Sequence, residues 1–295
     1  MARRATGAAK PAAGAKTPVR APGRGPALAH VGWKDGPVTG DTFPWSVPAV
    51  RALDAGLDLA APVTFFVGEN GSGKSTLLEA VAIAANARAV GTERDLWRDP
   101  SLAAQRALAR ELRLAWTWRP AFGFFLRAED FAGHLRARAR LKAHLMREGV
   151  EAPPPGFDAE AYAEALAELR DDVHPDEAGA AALLRCYDTR SHGESFLEYF
   201  EDQLDAPGLY LLDEPETPLS PQRQLTLLAL LADAARGGAQ LVVATHSPIL
   251  LALPGARIYA FDETGVRETP YDELEHVRVT RDFLNAPERY LRHLV

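Results

Sequence analysis

The chain has 295 residues, of which 47% are hydrophobic and 25% charged, enough for one large α/β domain or two small ones. Its single cysteine, Cys186, excludes an internal disulfide and a cysteine-based zinc site, and fits a reducing, cytoplasmic setting. No apolar run approaches the roughly 18 residues that cross a bilayer, and a formal charge of −7 argues against broad coating of nucleic acid.

Residues 1–30 hold six basic side chains (Arg3, Arg4, Lys10, Lys16, Arg20, Arg24) and no acid, so the other 265 residues carry −13. Ala, Gly and Pro dominate this stretch, and too little of it is apolar to offset its ordering entropy, so disorder is expected. It lacks the apolar segment of a secretory signal, and its Pro and Gly residues prevent an amphipathic targeting helix. A solvated tail is the plain reading; an electrostatic arm for DNA or another anion is the functional one.

From Gly32 onward the pattern is that of a folded domain. Phe43, Pro44, Trp45 and Val47 lie in a strand or turn, and Val63–Val67 reads as a buried strand that runs into Gly68-Glu69-Asn70-Gly71-Ser72-Gly73-Lys74-Ser75-Thr76. Helix-favouring residues follow over Leu77–Ala87. Residues 99–187 read as a mostly helical insertion, with apolar spacing near 3.6 over Leu102–Leu114, Phe131–Met146 and Ala159–Leu169. A short strand at Gly123–Leu126 interrupts them, and Pro153–Gly156 is a break. Arg136, Arg138, Arg140, Lys142 and Arg147 precede Glu160, Glu164, Glu168, Asp171 and Asp172: two solvated helix faces, or a basic face for DNA. Beyond 207 strand–helix alternation returns, with strands at Leu209–Leu212, Leu241–Ala244 and Arg257–Phe261 and a helix over Pro221–Ala235. Such alternation implies an α/β fold with a mainly parallel sheet.

Four elements carry chemistry. Gly68 to Ser75 satisfies G-x-x-x-x-G-K-[ST] between a strand and a helix, the context in which that motif binds phosphate. Gly68, Asn70, Gly71, Ser72 and Gly73 let the backbone wrap the anion, the amides of Lys74 to Thr76 open the helix toward it, Lys74 reaches the β- and γ-phosphates, and Ser75 ligates Mg²⁺. The strand Leu209–Leu212 ends in Asp213-Glu214; two acids after a buried run call for a cation or water to take up their charge, with Asp213 on Mg²⁺ and Glu214 polarising the attacking water. Thirty-three residues past Asp213, His246 in Ala-Thr-His-Ser-Pro stands at the tip of another apolar strand, placed to meet a γ-phosphate. Ser191-His192-Gly193-Glu194 opens a further helix, and read alone is a helix cap.

In this order the four elements resemble the ABC-type P-loop ATPase superfamily, and over residues 40–265 the chain looks like the small stand-alone AAA-family ATPases near its SMC/RecF-like branch. The resemblance implies a head-to-tail pair of copies that sandwich ATP. Ser191 and Gly193 would then touch the γ-phosphate held at Lys74 of the second copy, and Glu216–Ser220 would lie at the seam. Three departures stand out. Arg190 and His192 replace the usual Leu and first Gly of the signature. The usual Gln ligand is missing, with Gln105 inside an expected helix and Glu129 after the Gly123–Leu126 strand as its stand-in. Phe43 and Trp45 are the aromatic candidates for adenine, although core packing suits both.

A guanine-reading Asn-Lys-x-Asp, a Gly-x-Ser-x-Gly elbow, His-Glu-x-x-His and Cys-x-x-Cys are all absent. Cys186 reads as a small core residue. The expectation is therefore Mg²⁺-dependent ATP hydrolysis by a nucleotide-sandwiched homodimer driving a DNA-related or defence process. The alternatives are the energy subunit of a membrane transporter and a non-hydrolysing, ATP-dependent switch.

Overall fold

The structure is a computed structural model that describes residues 25–38, 40–90, 96–131, 192–204, 207–263 and 265–292. Most of the tail and of the expected insertion, with the Arg136–Arg147 stretch, Cys186, Arg190 and Ser191, lies outside the described residues.

The centre is a seven-stranded sheet built from β3 (Val63–Gly68), β4 (Arg88–Val90), β6 (Gly123–Arg127), β7 (Leu209–Asp213), β8 (Gln240–Ala244), β9 (Arg257–Asp262) and β10 (Gly265–Glu268). The strand order is β10-β9-β3-β8-β7-β6-β4, parallel throughout except for the antiparallel β10 edge. The middle strands are continuous apolar runs because both faces are covered: β7 and β8 are buried at every position. Alternate residues serve opposite layers. Phe66, Leu211 and Val242 join the cluster under α2 (Lys74–Ala85), whereas Phe65, Leu212 and Val243 join the cluster under α4 (His192–Gln203) and α5 (Pro221–Gly237).

A second, antiparallel sheet of order β2-β1-β5 packs on the α2 side, from β1 (Leu28–Trp33), β2 (Leu57–Asp58) and β5 (Leu112–Trp116). Two sequence expectations change here. Residues 28–30, counted with the tail, belong to β1, and Ala27 and Leu28 are fully buried. The cause is long-range: the buried Gln240 amide receives the Leu28 N–H at 2.7 Å and donates to the carbonyls of Leu28 and Leu59 at 2.8 and 2.7 Å. Likewise the helix expected over Leu102–Leu114 ends at Glu111 in α3 (Ala103–Glu111), and Leu112–Trp116 pairs with β1. Residues 123–127 then enter the central sheet, so this part of the stretch read as an inserted lobe builds the core.

The C-terminal half follows its local signals. Helix α5 has Ser220 as N-cap, Pro221 in its first turn and Gly238 left-handed at its C-terminus. A short helix, α6 (Pro248–Leu251), is capped by the Ser247 hydroxyl, which accepts from the Leu250 N–H at 3.1 Å. Helices α7 (Glu275–Asn285) and α8 (Pro287–Leu291) close the described chain. Phe131 and Phe196 pack edge to face at 4.6 Å, and Phe124 meets Tyr210 at 5.1 Å, which fixes α4 against β6 and β7. No described helix is long and apolar enough to cross a membrane.

Candidate nucleotide site

Register brings the motif strands together. Arg127, Asp213, Ala244 and Phe66 are successive partners across β6, β7, β8 and β3, so the carboxyl ends of these strands form one row. The chain leaves β3 for the α2 face and leaves β8 for the α6 face, the switch point at which α/β sheets open a crevice.

The loop between β3 and α2 is tight enough to require glycine. A Cβ on Gly68 would lie 2.4 Å from the Phe261 carbonyl oxygen, and one on Gly73, at φ +89°, would lie 2.5 Å from Val47 Cγ2. Ser72 is buried with its hydroxyl turned inward, and its carbonyl accepts the Ala49 N–H at 2.9 Å. Lys74 is 4% exposed, and its Nζ donates to the Gly68 and Glu69 carbonyls at 2.8 and 3.0 Å. Burial pulls its pKa down, against the raising effect of Glu214, Asp213 and Glu216.

Ser75 Oγ donates to Asp213 Oδ1 at 2.9 Å. Asp213 is buried, which pushes its pKa up to about 6; the Ser75 hydrogen bond and the Arg127 charge oppose that rise. Glu214 adopts a left-handed conformation, φ +48°, while its N–H donates to the Ala244 carbonyl at 2.8 Å. This turn sends successive acids to one side of the strand end, where an extended chain would send them to opposite faces. His246 Nε2 stands 3.8 Å from Glu214 Oε1. Burial and the Lys74 charge lower the pKa of His246, and Glu214 counteracts them.

Asn70, Gly71, Gly73, Lys74, Ser75, Thr76, Glu214 and His246 line one cleft of about 730 Å³, joined by Phe43, Val47 and Glu129. Of the two aromatic candidates, Phe43 is 54% exposed at this cleft, whereas Trp45 packs on Trp33 at 6.4 Å. The stand-in for the missing Gln, Glu129, lines the cleft, whereas Gln105 lies on α3 and donates to Glu79 Oε2 at 2.7 Å. Gly193 lies in the first turn of α4.

Two residues absent from the sequence reading, Glu79 and Arg127, and one it placed elsewhere, Glu216, support the site. Glu79, 4% exposed on α2, pairs with Arg127 at the tip of β6, and Arg127 also faces Asp130 at 3.6 Å. A lone acid inside Leu77-Leu78-Glu79-Ala80-Val81-Ala82 is its sequence signal. Glu216, in Leu-Asp-Glu-Pro-Glu, turns its carboxylate onto the 245–247 turn.

A Gly-rich strand-to-helix cradle beside an acid-ended strand is the construction of a P-loop nucleoside-triphosphate site. The Ser75 and Asp213 oxygens suit Mg²⁺, a hard cation that takes few protein ligands and fills its remaining positions from water and phosphate. The chain is 32% identical over 227 residues to the hemin import ATP-binding protein HmuV of Nocardia farcinica (strain IFM 10152), covering 74% of this chain and 69% of that protein. It belongs to the ABC-type P-loop ATPases. The family profile described as "AAA domain, putative AbiEii toxin, Type IV TA system" matches residues 181–252, and one described as "AAA domain" matches residues 51–102. Similar solved structures include the SMC head domain from Thermotoga maritima, with 14% identity, TM-score 0.39 and coverage of 83% of this chain and 99% of that one. A nucleotide-free ATP-binding cassette from an ABC transporter has 15% identity, TM-score 0.44 and coverage of 90% and 98%.

Proposed function

We propose that the chain binds ATP with Mg²⁺ in the 68–76 cleft and hydrolyses it between two copies of itself. The observation that carries the reading is the convergence of Lys74, the Ser75–Asp213 pair and the Glu214–His246 pair on one cleft at adjacent strand ends. The loop amides and Lys74 bind the β- and γ-phosphates, and Lys74 gives up its bonds to Gly68 and Glu69 to do so. Ser75 and Asp213 hold Mg²⁺, which when bound neutralises phosphate charge. Glu214 orients a water for in-line attack and takes up its proton as the new oxygen–phosphorus bond forms and the bond to the β-phosphate oxygen breaks. His246, kept neutral by burial and by Lys74, offers a ring N–H to a γ-phosphate oxygen. Ser191 and Gly193 of a second copy cap that phosphate.

Glu214→Gln is expected to keep ATP binding, to lower turnover by about 10²- to 10⁴-fold and to accumulate an ATP-bound dimer. An unchanged rate overturns the base assignment, and a specific activity independent of protein concentration overturns capping by a second copy. A defence role draws support from the toxin-system wording of the profile over 181–252; a DNA-related role is tested by turnover stimulated by DNA with steep salt dependence. The hemin-import name of the relative favours a transporter subunit as second reading, tested by co-purification with membranes. A wild type that binds ATP without turnover leaves the switch.

A further inference from the structure

Glu216 is two residues past Glu214, yet its carboxylate leaves the loop after β7 and inserts into the turn after β8. Its Oε1 accepts three hydrogen bonds: from Thr245 Oγ1 at 2.6 Å, from the His246 N–H at 2.7 Å and from the Ser247 N–H at 3.1 Å, the last shared with Thr245 Oγ1 at 3.0 Å. Its Oε2 is buried and has no hydrogen-bond partner among the described residues. The resemblance implies a seam between copies for Glu216–Ser220; within the chain, the Glu216 carboxylate is engaged with the 245–247 turn.

The same turn is anchored elsewhere too. Thr245 N–H donates to the Phe66 carbonyl at 3.1 Å, and Ser247 Oγ donates to Gln224 Oε1 on α5 at 2.7 Å. Those bonds hold the ends of the turn. Glu216 is the group that takes the backbone N–H of His246 itself. It does so from the loop that carries Glu214, where the Thr217 N–H in turn donates to the Glu214 carbonyl at 3.1 Å. Three donors on one oxygen fix that oxygen in direction as well as distance, since each bond weakens steeply off its axis.

We propose that Glu216 is a positioning residue that clamps the 245–247 turn to the Glu214 loop, so that His246 and Glu214 meet the γ-phosphate as one rigid unit. The clamp depends on the reach and acceptor direction of the side chain rather than on its charge. A loosened turn displaces His246 by a fraction of an ångström or more, and displacements of that order cost up to about 10²-fold in rate.

The inference rests on the hydrolysis reading, so its test has an arm that needs no nucleotide. In the ligand-free protein, amide exchange at His246 is expected to accelerate at least about tenfold in Glu216→Ala and Glu216→Asp, with residues 240–244 unchanged, and to stay near wild type in Glu216→Gln. Glutamine keeps the length and the accepting oxygen, whereas aspartate keeps the charge but falls short. In steady-state kinetics Glu216→Ala and Glu216→Asp are expected to lower kcat by about 10- to 10²-fold with KM for ATP within about threefold, and Glu216→Gln to restore most of it. Glu216→Ala combined with His246→Ala is expected to be no slower than His246→Ala alone. The clamp is refuted if Asp preserves kcat and Gln loses it, if the two losses multiply, or if exchange at His246 is unmoved in Glu216→Asp. Absence of turnover in the wild type refutes hydrolysis instead and leaves the exchange result to decide the clamp.

Discussion

Replacing Asp213 by Asn is expected to stabilise the nucleotide-free protein at neutral pH. Asp213 ends β7 at 4% exposure, and burial lifts its pKa from 3.8 to about 6 despite the Ser75 hydrogen bond and the nearby Arg127 charge. The native state therefore binds more protons at this site than the unfolded chain does between those two values. Stability from this group is fully present below the unfolded value and is lost as pH rises through about 6. Above that, the buried charge costs about 3 kcal/mol. Asparagine removes the charge and keeps an oxygen for Ser75, but its amide nitrogen lacks a partner at a cost of about 1 kcal/mol. The variant should thus gain about 2 kcal/mol at pH 8, with the advantage gone by about pH 4.

Urea denaturation of both proteins across that pH range, in EDTA and without nucleotide, measures the difference, and other titrating groups cancel between the two. Excess Mg²⁺ and ATP should reverse the order, because only the wild type retains the carboxylate for the metal. A wild type as stable as the variant at pH 8, or a difference that ignores pH, would refute the electrostatic reasoning.

The imidazole of His246 should titrate below 6.5 by NMR; Lys74→Met should raise its midpoint and Glu214→Gln should lower it further, and the opposite order would show that the two charges do not act on the ring. Arg127→Met strands the buried Glu79 carboxylate with Gln105 as its remaining partner among the described residues and should cost about 3 kcal/mol in urea denaturation. Adding Glu79→Gln should recover at least half of that loss, and strict additivity would show that the pair does not couple.

What could be read in the sequence was whatever is local. Gly68 to Ser75 declares its loop because sterics demand glycine at set positions, and β7, β8 and α5 declare themselves by unbroken apolar runs or by caps. β1 was hidden because its first residues share the Ala- and Pro-rich composition before them, and their order depends on Gln240, 212 residues away from Leu28. β5 was hidden because Leu112 and Leu114 extend the apolar spacing of α3, and only pairing with β1 decides for a strand. The Glu79–Gln105–Arg127 network draws on three separate elements, so no window of sequence contains it. Glu216 sat in plain view next to Glu214, but its target lies 29 to 31 residues further on.

These hidden contacts share a logic. Among the described residues the cleft lining offers one cationic side chain, Lys74, against the carboxylates of Glu129 and Glu214, with Asp213 just behind Ser75. A polyphosphate enters so acidic a place only if its charge is met by loop amides and by a divalent cation. The acids differ in how they are matched: Glu79 meets Arg127 and Gln105, Glu216 sets one oxygen against three donors while burial of the other raises its pKa, and Glu214 lies part-exposed beside His246. Asp213 has the Ser75 hydroxyl and the nearby Arg127 and Lys74 charges, and its pKa still rises to about 6. The protein thus leaves an uncompensated buried carboxyl where the proposed Mg²⁺ binds, and a cation there would relieve it.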